Sequence, residues 1–389
     1  MKIKDQVAII GVGCTKFGEN FDRSFSDMVI DAVYDAYADA GINPNDIQAA
    51  WMGTSRPELT GERTSGCLLS DALKLYQIPI SRVYNYCATG MDAFRNACFA
   101  VACGMYDIVL VVGAEKMRAS SSRSLVEGLT TGGHPYLLKG RTSPGYFALL
   151  ATRYFHQYGA GREHIAKIAV KNHHNGLLSP KAHFKMEVTV DQVLNSPFVA
   201  EPLGRLDCCP TTDGAAAAII TNKKLAKTFR DDPIWVKGIS LAIWSEQNPF
   251  IRSFDFLGFP SNQAAAKDAY KQVGINDPRK EIDFASVHDC FTITEMIIYE
   301  DLAFCDRGEG WRFIDDGISA LDGDLPVNTD GGLKAFGHPI GASGLRIINE
   351  MVAQLQGKAG PRQVKNPELG LGHTLGGPGA LASVLILGN

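Results

Sequence analysis

Short apolar runs alternate with stretches of helical spacing along most of the chain, the pattern of an α/β protein. Val7 to Val12 (VAIIGV) reads as a buried strand. Phe25 to Ala40 repeats its apolar residues at helical spacing and meets a stop at Gly41. Ala49 to Gly53 predicts a second strand and Arg63 to Leu75 a second helix. Val83 to Tyr86 predicts a short strand that runs into Cys87 and then into a helix over Met91–Ala102, and Asp107 to Gly113 (DIVLVVG) is the clearest buried strand. Between about Met117 and Leu203 the pattern changes. SSSRS, TTGGHPY and GRTSPGY crowd together ahead of two helices near Tyr146–Tyr158 and His164–Asn175, as in an inserted loop or lid.

The α/β rhythm returns at Asp213–Thr221 and Ile234–Ala242. A helix near Gln263–Val273, a strand near Ile282–Val287 and a helix after Cys290 follow. Ala342–Gln356 predicts a last helix, ahead of a strand pair near Gly370–His373 and Ala380–Leu387. The second half repeats the grammar of the first: short strand, Gly-rich turn with a reactive side chain, helix, apolar strand. That repetition points to an internal duplication, with halves at 1–240, including the insertion at about 117–203, and 241–389.

Composition narrows the function. The chain has 389 residues, 45% hydrophobic and 21% charged, which suits a folded protein of two ordinary domains. A net charge of −4 offers no field for nucleic acid or an anionic membrane. Nine cysteines without regular spacing or a CxxC pair fit a reduced, cytoplasmic protein with no zinc ribbon of its own. No signal peptide and no membrane-spanning apolar stretch is expected.

Four segments carry candidate chemistry: Asn85-Tyr-Cys-Ala-Thr-Gly90, His288-Asp-Cys-Phe291, Gly337-His-Pro-Ile-Gly-Ala-Ser-Gly344 and Gly372-His-Thr-Leu-Gly-Gly-Pro-Gly379. Cys87 falls at a strand-to-helix turn, where the helix N-terminus is expected to lower the thiol pKa and supply a nucleophilic thiolate. His338 stands among glycines and a proline and suits a placed base. His288 and Cys290, at i and i+2, project to one face of an extended segment. An imidazole N–H there can stabilise an enolate oxygen and a thiol can move an α-proton. A metal pair is the competing reading, but no third or fourth ligand follows at suitable spacing. GGPG after His373 offers free amides for an oxyanion hole, although such turns are more often only turns.

Together, and in this order, the four segments resemble the thiolase superfamily over essentially the whole chain; LDCCPTTDGAAAAII (Leu206 to Ile220) is similar to the close of that family's first half. The resemblance implies a five-layered αβαβα sandwich of two pseudo-duplicated halves with a lid inserted in the first, assembled as a dimer or a dimer of dimers. The HDCF segment resembles the sterol-carrier-protein and archaeal acetoacetyl-CoA types. It implies Cys87 as acyl-carrying nucleophile, His338 as its activator, Cys290 as acid/base at the α-carbon and His288 in the first oxyanion hole. The amides of Cys87 and Leu375 would form the second.

The same resemblance implies 3-ketoacyl-CoA thioesters as substrates, coenzyme A as substrate or product, no permanently bound cofactor or metal, and a small zinc-ribbon/OB-fold partner protein. Arg118, Arg123, Lys139 and Arg141 are candidate contacts for coenzyme A, with Phe291, His373 and Gly376 as further substrate-site candidates. A non-catalytic acyl-CoA or lipid-binding subunit and a related condensing synthase are the alternatives.

Overall fold

The computed structural model describes residues 3–57, 61–62, 65–119 and 140–389. Its main sheet has nine strands in the order β3-β2-β4-β7-β1-β8-β11-β10-β9. The first half supplies β1 (Val7–Cys14), β2 (Ala49–Gly53), β3 (Ile80–Val83), β4 (Ile108–Glu115) and β7 (Gly214–Asn222). The second supplies β8 (Ile234–Ile243), β9 (Phe284–Ser286), β10 (Leu369–Gly376) and β11 (Leu381–Gly388); β8 straddles the boundary expected at 240/241 and pairs with β11. A separate two-stranded ribbon joins β5 (Phe198–Ala200) to β6 (Leu203–Gly204).

The strand senses reveal the duplication. β2 and β4 are parallel, and β4–β7 and β7–β1 are antiparallel. In the second half β9 and β10 are parallel, and β10–β11 and β11–β8 are antiparallel. Val327 even bridges Ala285 in parallel, where β3 would stand in the second half. The halves meet where Ala8 and Ile9 of β1 face Trp235 and Ile234 of β8.

Alternation along the strands sorts the helices into layers. Ile10, Met52, Leu110, Val112 and Ile219 pack with residues of α1 (Phe25–Ala40) and α2 (Cys67–Leu73) on one outer face. Ile9, Ala49, Val109, Val111 and Ile220 point the other way, toward α3 (Thr89–Ala102) and the last long helix, Ser343–Leu355. Val236, Leu385 and Leu387 of the second half close on that same central pair. Leu371, Val384 and Ile386 face outward with residues of α4 (Ser143–Tyr158), α6 (Pro260–Val273) and α7 (Thr292–Asp301). The outcome is the αβαβα sandwich, with helix α5 (Arg162–Leu178) among the additions and Ser343–Leu355 as α8.

Local signals explain the boundaries. Ser24 and Asp27 form a capping box at the start of α1, and Gly41 ends it at φ 68°. Two expectations need correction. The strand expected at Val83–Tyr86 lies at Ile80–Val83, because Tyr86 takes a left-handed φ of 48° and turns the chain before Cys87. The helix expected from Arg63 is Cys67–Leu73 within the described residues, ended by left-handed Lys74 at φ 55°. SSSRS and TTGGHPY lie outside the described residues, whereas the Gly140–Tyr146 segment leads into α4, capped by the Thr142 hydroxyl.

The loop 337–344 is pressed against the backbone of the first half. A Cβ on Gly341 would stand 2.6 Å from the carbonyl oxygens of Ala114 and Gly53. One on Gly90 or Gly113 would reach the Gly341 carbonyl at 2.6 or 2.3 Å, and one on Gly344 would reach the Met91 amide at 2.4 Å. These contacts are backbone on backbone, so no side chain can yield. Gly341→Ala should therefore destabilise the protein by about 1–3 kcal/mol, read as a lower urea midpoint. An exposed control, Gly104→Asn, has nothing within 4 Å of its Cβ position and keeps a positive φ, so it should shift the midpoint far less.

Candidate active site

Cys87 sits in a turn that its neighbours hold rigidly. The Thr89 hydroxyl donates to the Tyr86 carbonyl at 2.5 Å and accepts from the Asn85 amide at 2.8 Å. The Asn85 side chain donates to Asp92, one turn into α3, at 2.6 Å. His288 and Cys290 come from the loop between β9 and α7, His338 from the loop before α8, and Gly377 from the β10–β11 turn. Loops of both halves thus meet in one cavity of about 390 Å³, lined by Cys87, His288, Cys290, His338 and Phe291. Cys87, His288 and His338 bring one donor atom each to within 4.8 Å of one another. The two imidazoles meet edge to face, with centroids 5.2 Å apart.

The hydrogen bonds fix the tautomers. Ser343 Oγ donates to the Pro339 carbonyl at 2.9 Å, so its proton is committed and it accepts from His338 Nδ1–H at 2.7 Å. That leaves His338 Nε2 as a lone pair with no hydrogen-bond partner among the described residues, the atom a general base needs. Burial, helped by the Arg346 charge, pushes the His338 pKa down to about 3, so the ring is neutral. His288 is held neutral by burial and by the neighbouring imidazoles, and its Nδ1 also lacks a partner among the described residues.

The expectation of a lowered Cys87 pKa is overturned. Burial raises the thiol to about 12, opposed by a hydrogen bond from the Gly377 backbone and reinforced by the Glu115 charge. The α3 N-terminus does not offset the loss of water around the sulfur, and Cys87 rests as a thiol. Cys290 is likewise raised by burial; its Sγ lies 3.8 Å from Thr294 Oγ1. Between His288 and Cys290, Asp289 turns to the opposite side and anchors the loop, accepting from Asn172 Nδ2 at 2.8 Å and the Leu333 amide at 2.5 Å.

The remaining candidates separate. Arg141 lines the cavity, its guanidinium 5.6 Å from the Tyr146 ring centroid. Arg118 is turned away onto Glu19 and does not line the cavity. Arg123 and Lys139 lie outside the described residues. Phe291 stacks on Phe147 at 4.7 Å and forms an apolar wall.

His373 is fully buried, is not a wall of the cavity, and is a strut rather than a substrate contact. Asp301 accepts from Asn262 Nδ2, which directs Asn262 Oδ1 to His373 Nε2–H, each at 3.0 Å. His373 Nδ1 is then free to accept the His288 amide at 3.5 Å. Leu375 and Gly376 lie in β10, paired with Ala382 and Leu381, and neither lines the cavity. Gly377 has the amide that reaches the sulfur.

Sequence reasoning missed Glu115. Its buried carboxylate accepts from the amides of Ser55 (2.8 Å), Arg56 (2.9 Å) and Gly341 (3.0 Å) and from the Thr54 hydroxyl (3.2 Å). It binds the His338 loop to the ends of β2 and β4. A carboxylate closing the apolar run VLVVGAE was the available signal.

Comparison with known proteins agrees with this geometry. The family model for the thiolase N-terminal domain matches residues 7–224, and the thiolase C-terminal domain-like model matches residues 245–389. The chain belongs to the thiolase family. It is 40% identical over 381 residues to an acetyl-CoA acetyltransferase of Methanothermobacter thermautotrophicus, covering 98% of each chain. It is 33% identical over 399 residues to human sterol carrier protein 2, covering 98% of this chain and 71% of that protein. The solved Ltp2-ChsH2(DUF35) aldolase superposes with a TM-score of 0.85 at 29% identity, covering 99% of this chain and 98% of the other.

Four buried imidazoles predict the acid response, His288 among them, held well below its ordinary value by burial. His338 and His373 are pushed down to about 3 and His173 to about 4, each mainly by burial. The unfolded chain binds protons on them below ~6.5 while the folded chain does not. The stability they contribute is therefore complete above pH ~6.5 and is lost as the pH falls from there toward 3 to 4. Urea midpoints measured between pH 7.5 and pH 5 (about the range that spans the ordinary histidine pKa) should fall on acidification. His373→Gln should fall less steeply.

Proposed function

We propose that the protein is a 3-ketoacyl-CoA thiolase that works through an acyl-Cys87 intermediate. The observation that carries this reading is the approach of Cys87, His288 and His338 to within 4.8 Å in a cavity that also takes in Cys290. In the thiolytic direction His338 Nε2 takes the Cys87 proton as the sulfur attacks the 3-keto carbon. The C2–C3 bond then breaks, leaving the acyl group on Cys87 and the enolate of a shorter acyl-CoA. His288 donates to the enolate oxygen, and Cys290, kept protonated by burial, returns a proton to the α-carbon. His338 next helps the coenzyme A thiol displace the acyl group. Synthesis runs these steps backward. The Gly377 amide, which reaches the Cys87 sulfur, supports a second oxyanion hole shared with the Cys87 amide, in place of the Leu375 amide first expected there, because Leu375 does not line the cavity.

The assembly belongs to the same reading. β3 is the edge of the nine-stranded sheet, and Tyr76, Tyr84, Phe99 and Met105 lie exposed near it in sequence, features that suit a homodimer along that edge. A small zinc-ribbon/OB-fold partner is supported by the solved Ltp2-ChsH2(DUF35) aldolase, which has a DUF35 component. Nine unpaired cysteines support a cytoplasmic setting, and no described helix is long and apolar enough to cross a membrane.

Incubation with a panel of acyl-CoA and 3-ketoacyl-CoA thioesters, followed by intact-mass measurement and peptide mapping, tests the function. An acyl group should appear on Cys87, be absent from Cys87→Ser, and be released by coenzyme A. Cys290→Ala should still take an acyl group from acetyl-CoA but lose carbon–carbon cleavage by roughly 10²–10⁴-fold. An adduct on another cysteine, or none with any thioester, contradicts the assignment.

A further inference from the structure

The three atoms that converge on the reacting carbon also form a ligand set. Cys87 Sγ and one nitrogen each of His288 and His338 lie within 4.8 Å of one another, although their residues are far apart in sequence. A tetrahedral zinc with Zn–S of about 2.3 Å and Zn–N of about 2.0–2.1 Å sets such atoms roughly 3.5 Å apart. Rotation of the Cys87 and His288 side chains, on separate loops, about the fixed His338 ring would close that difference.

A second observation points to a ligand. His338 Nε2 is buried and has no hydrogen-bond partner among the described residues, as is true of one nitrogen, Nδ1, of His288, and the two residues are only 7% and 2% exposed. His338 moreover carries the support typical of metal-binding imidazoles: its other nitrogen is committed to Ser343 Oγ at 2.7 Å, which fixes the ring with Nε2 pointing outward. The cavity leaves room for a fourth ligand from solvent. One thiolate and two imidazoles with an open position suit zinc and reject magnesium or calcium, which require oxygen donors.

We propose that Cys87, His288 and His338 form a reversible, inhibitory site for a thiophilic divalent cation such as Zn²⁺. Binding releases the Cys87 proton to solvent, makes one sulfur–metal and two nitrogen–metal bonds, and involves no change of oxidation state. The bound cation occupies the nucleophile, its base and the enolate donor together, so it excludes acyl-CoA. This regulation rests on the thiolase reading for its consequence, but the binding itself does not depend on turnover.

Co²⁺ is the probe, because a thiolate-bound tetrahedral cobalt absorbs strongly in the near ultraviolet and visible. Titration of the purified chain should give one equivalent of sulfur-to-cobalt charge transfer, displaced by Zn²⁺ and removed by a chelator. The band should vanish in Cys87→Ala, fall at least tenfold in apparent affinity in His338→Gln, and survive in the Cys208→Ser/Cys209→Ser variant. Protection of Cys87 from iodoacetamide by Zn²⁺ supplies an independent readout. A band that survives in Cys87→Ala, or no band and no protection, overturns the proposal. Failure of acyl transfer with the cobalt band intact would count against the thiolase reading alone.

Discussion

Everything in this site depends on one backbone contact, the seating of the 337–344 loop of the second half against the first. Gly341 fits between the carbonyls of Gly53 and Ala114 with no room for a Cβ, and its amide is held by the Glu115 carboxylate at 3.0 Å. Glu115 is buried, and such a charge is tolerable only because four donors surround it. The same loop carries His338, and Ser343 at the start of α8 orients that imidazole. Packing of the two central helices, satisfaction of a buried charge and aim of the His338 imidazole are thus one structural event.

Around that contact, the two halves contribute complementary parts. The first supplies Cys87 on a turn braced by Thr89 and Asp92; the second supplies both imidazoles, the second thiol and the Gly377 amide. Burial acts on all of them in the same sense. It keeps the imidazoles neutral and the thiols protonated, so the resting site contains few charges for a bound thioester to disturb. In the proposed mechanism Cys87 therefore becomes a nucleophile as its proton moves to His338, not through a standing thiolate.

Much of this was legible in the sequence because it rests on period and on short motifs. The span of α1 was readable from its apolar spacing and its cap, and the duplicated grammar anticipated matching strand senses in the two halves. The four segments placed Cys87, His288, Cys290 and His338 in one pocket because each lies at a strand end or helix start, where α/β folds gather side chains. What stayed hidden depends on distant partners. Nothing local tells that Asn262 and Asp301 make His373 a strut, or that Arg118 is spent on Glu19. The sign of the Cys87 shift was misread because the helix terminus is visible in sequence and the depth of burial is not.

The central claim is that Cys87 rests as a thiol, its pKa raised, and reacts through His338. The direct measurement is the rate of Cys87 alkylation by iodoacetamide as a function of pH, in the native protein and in His338→Gln. The account predicts a rate that keeps rising well beyond the ordinary cysteine range, toward the raised value of about 12, and a lower rate near neutral pH in His338→Gln. A rate that has already levelled off below neutral pH, unchanged in His338→Gln, would show a standing thiolate and contradict the account.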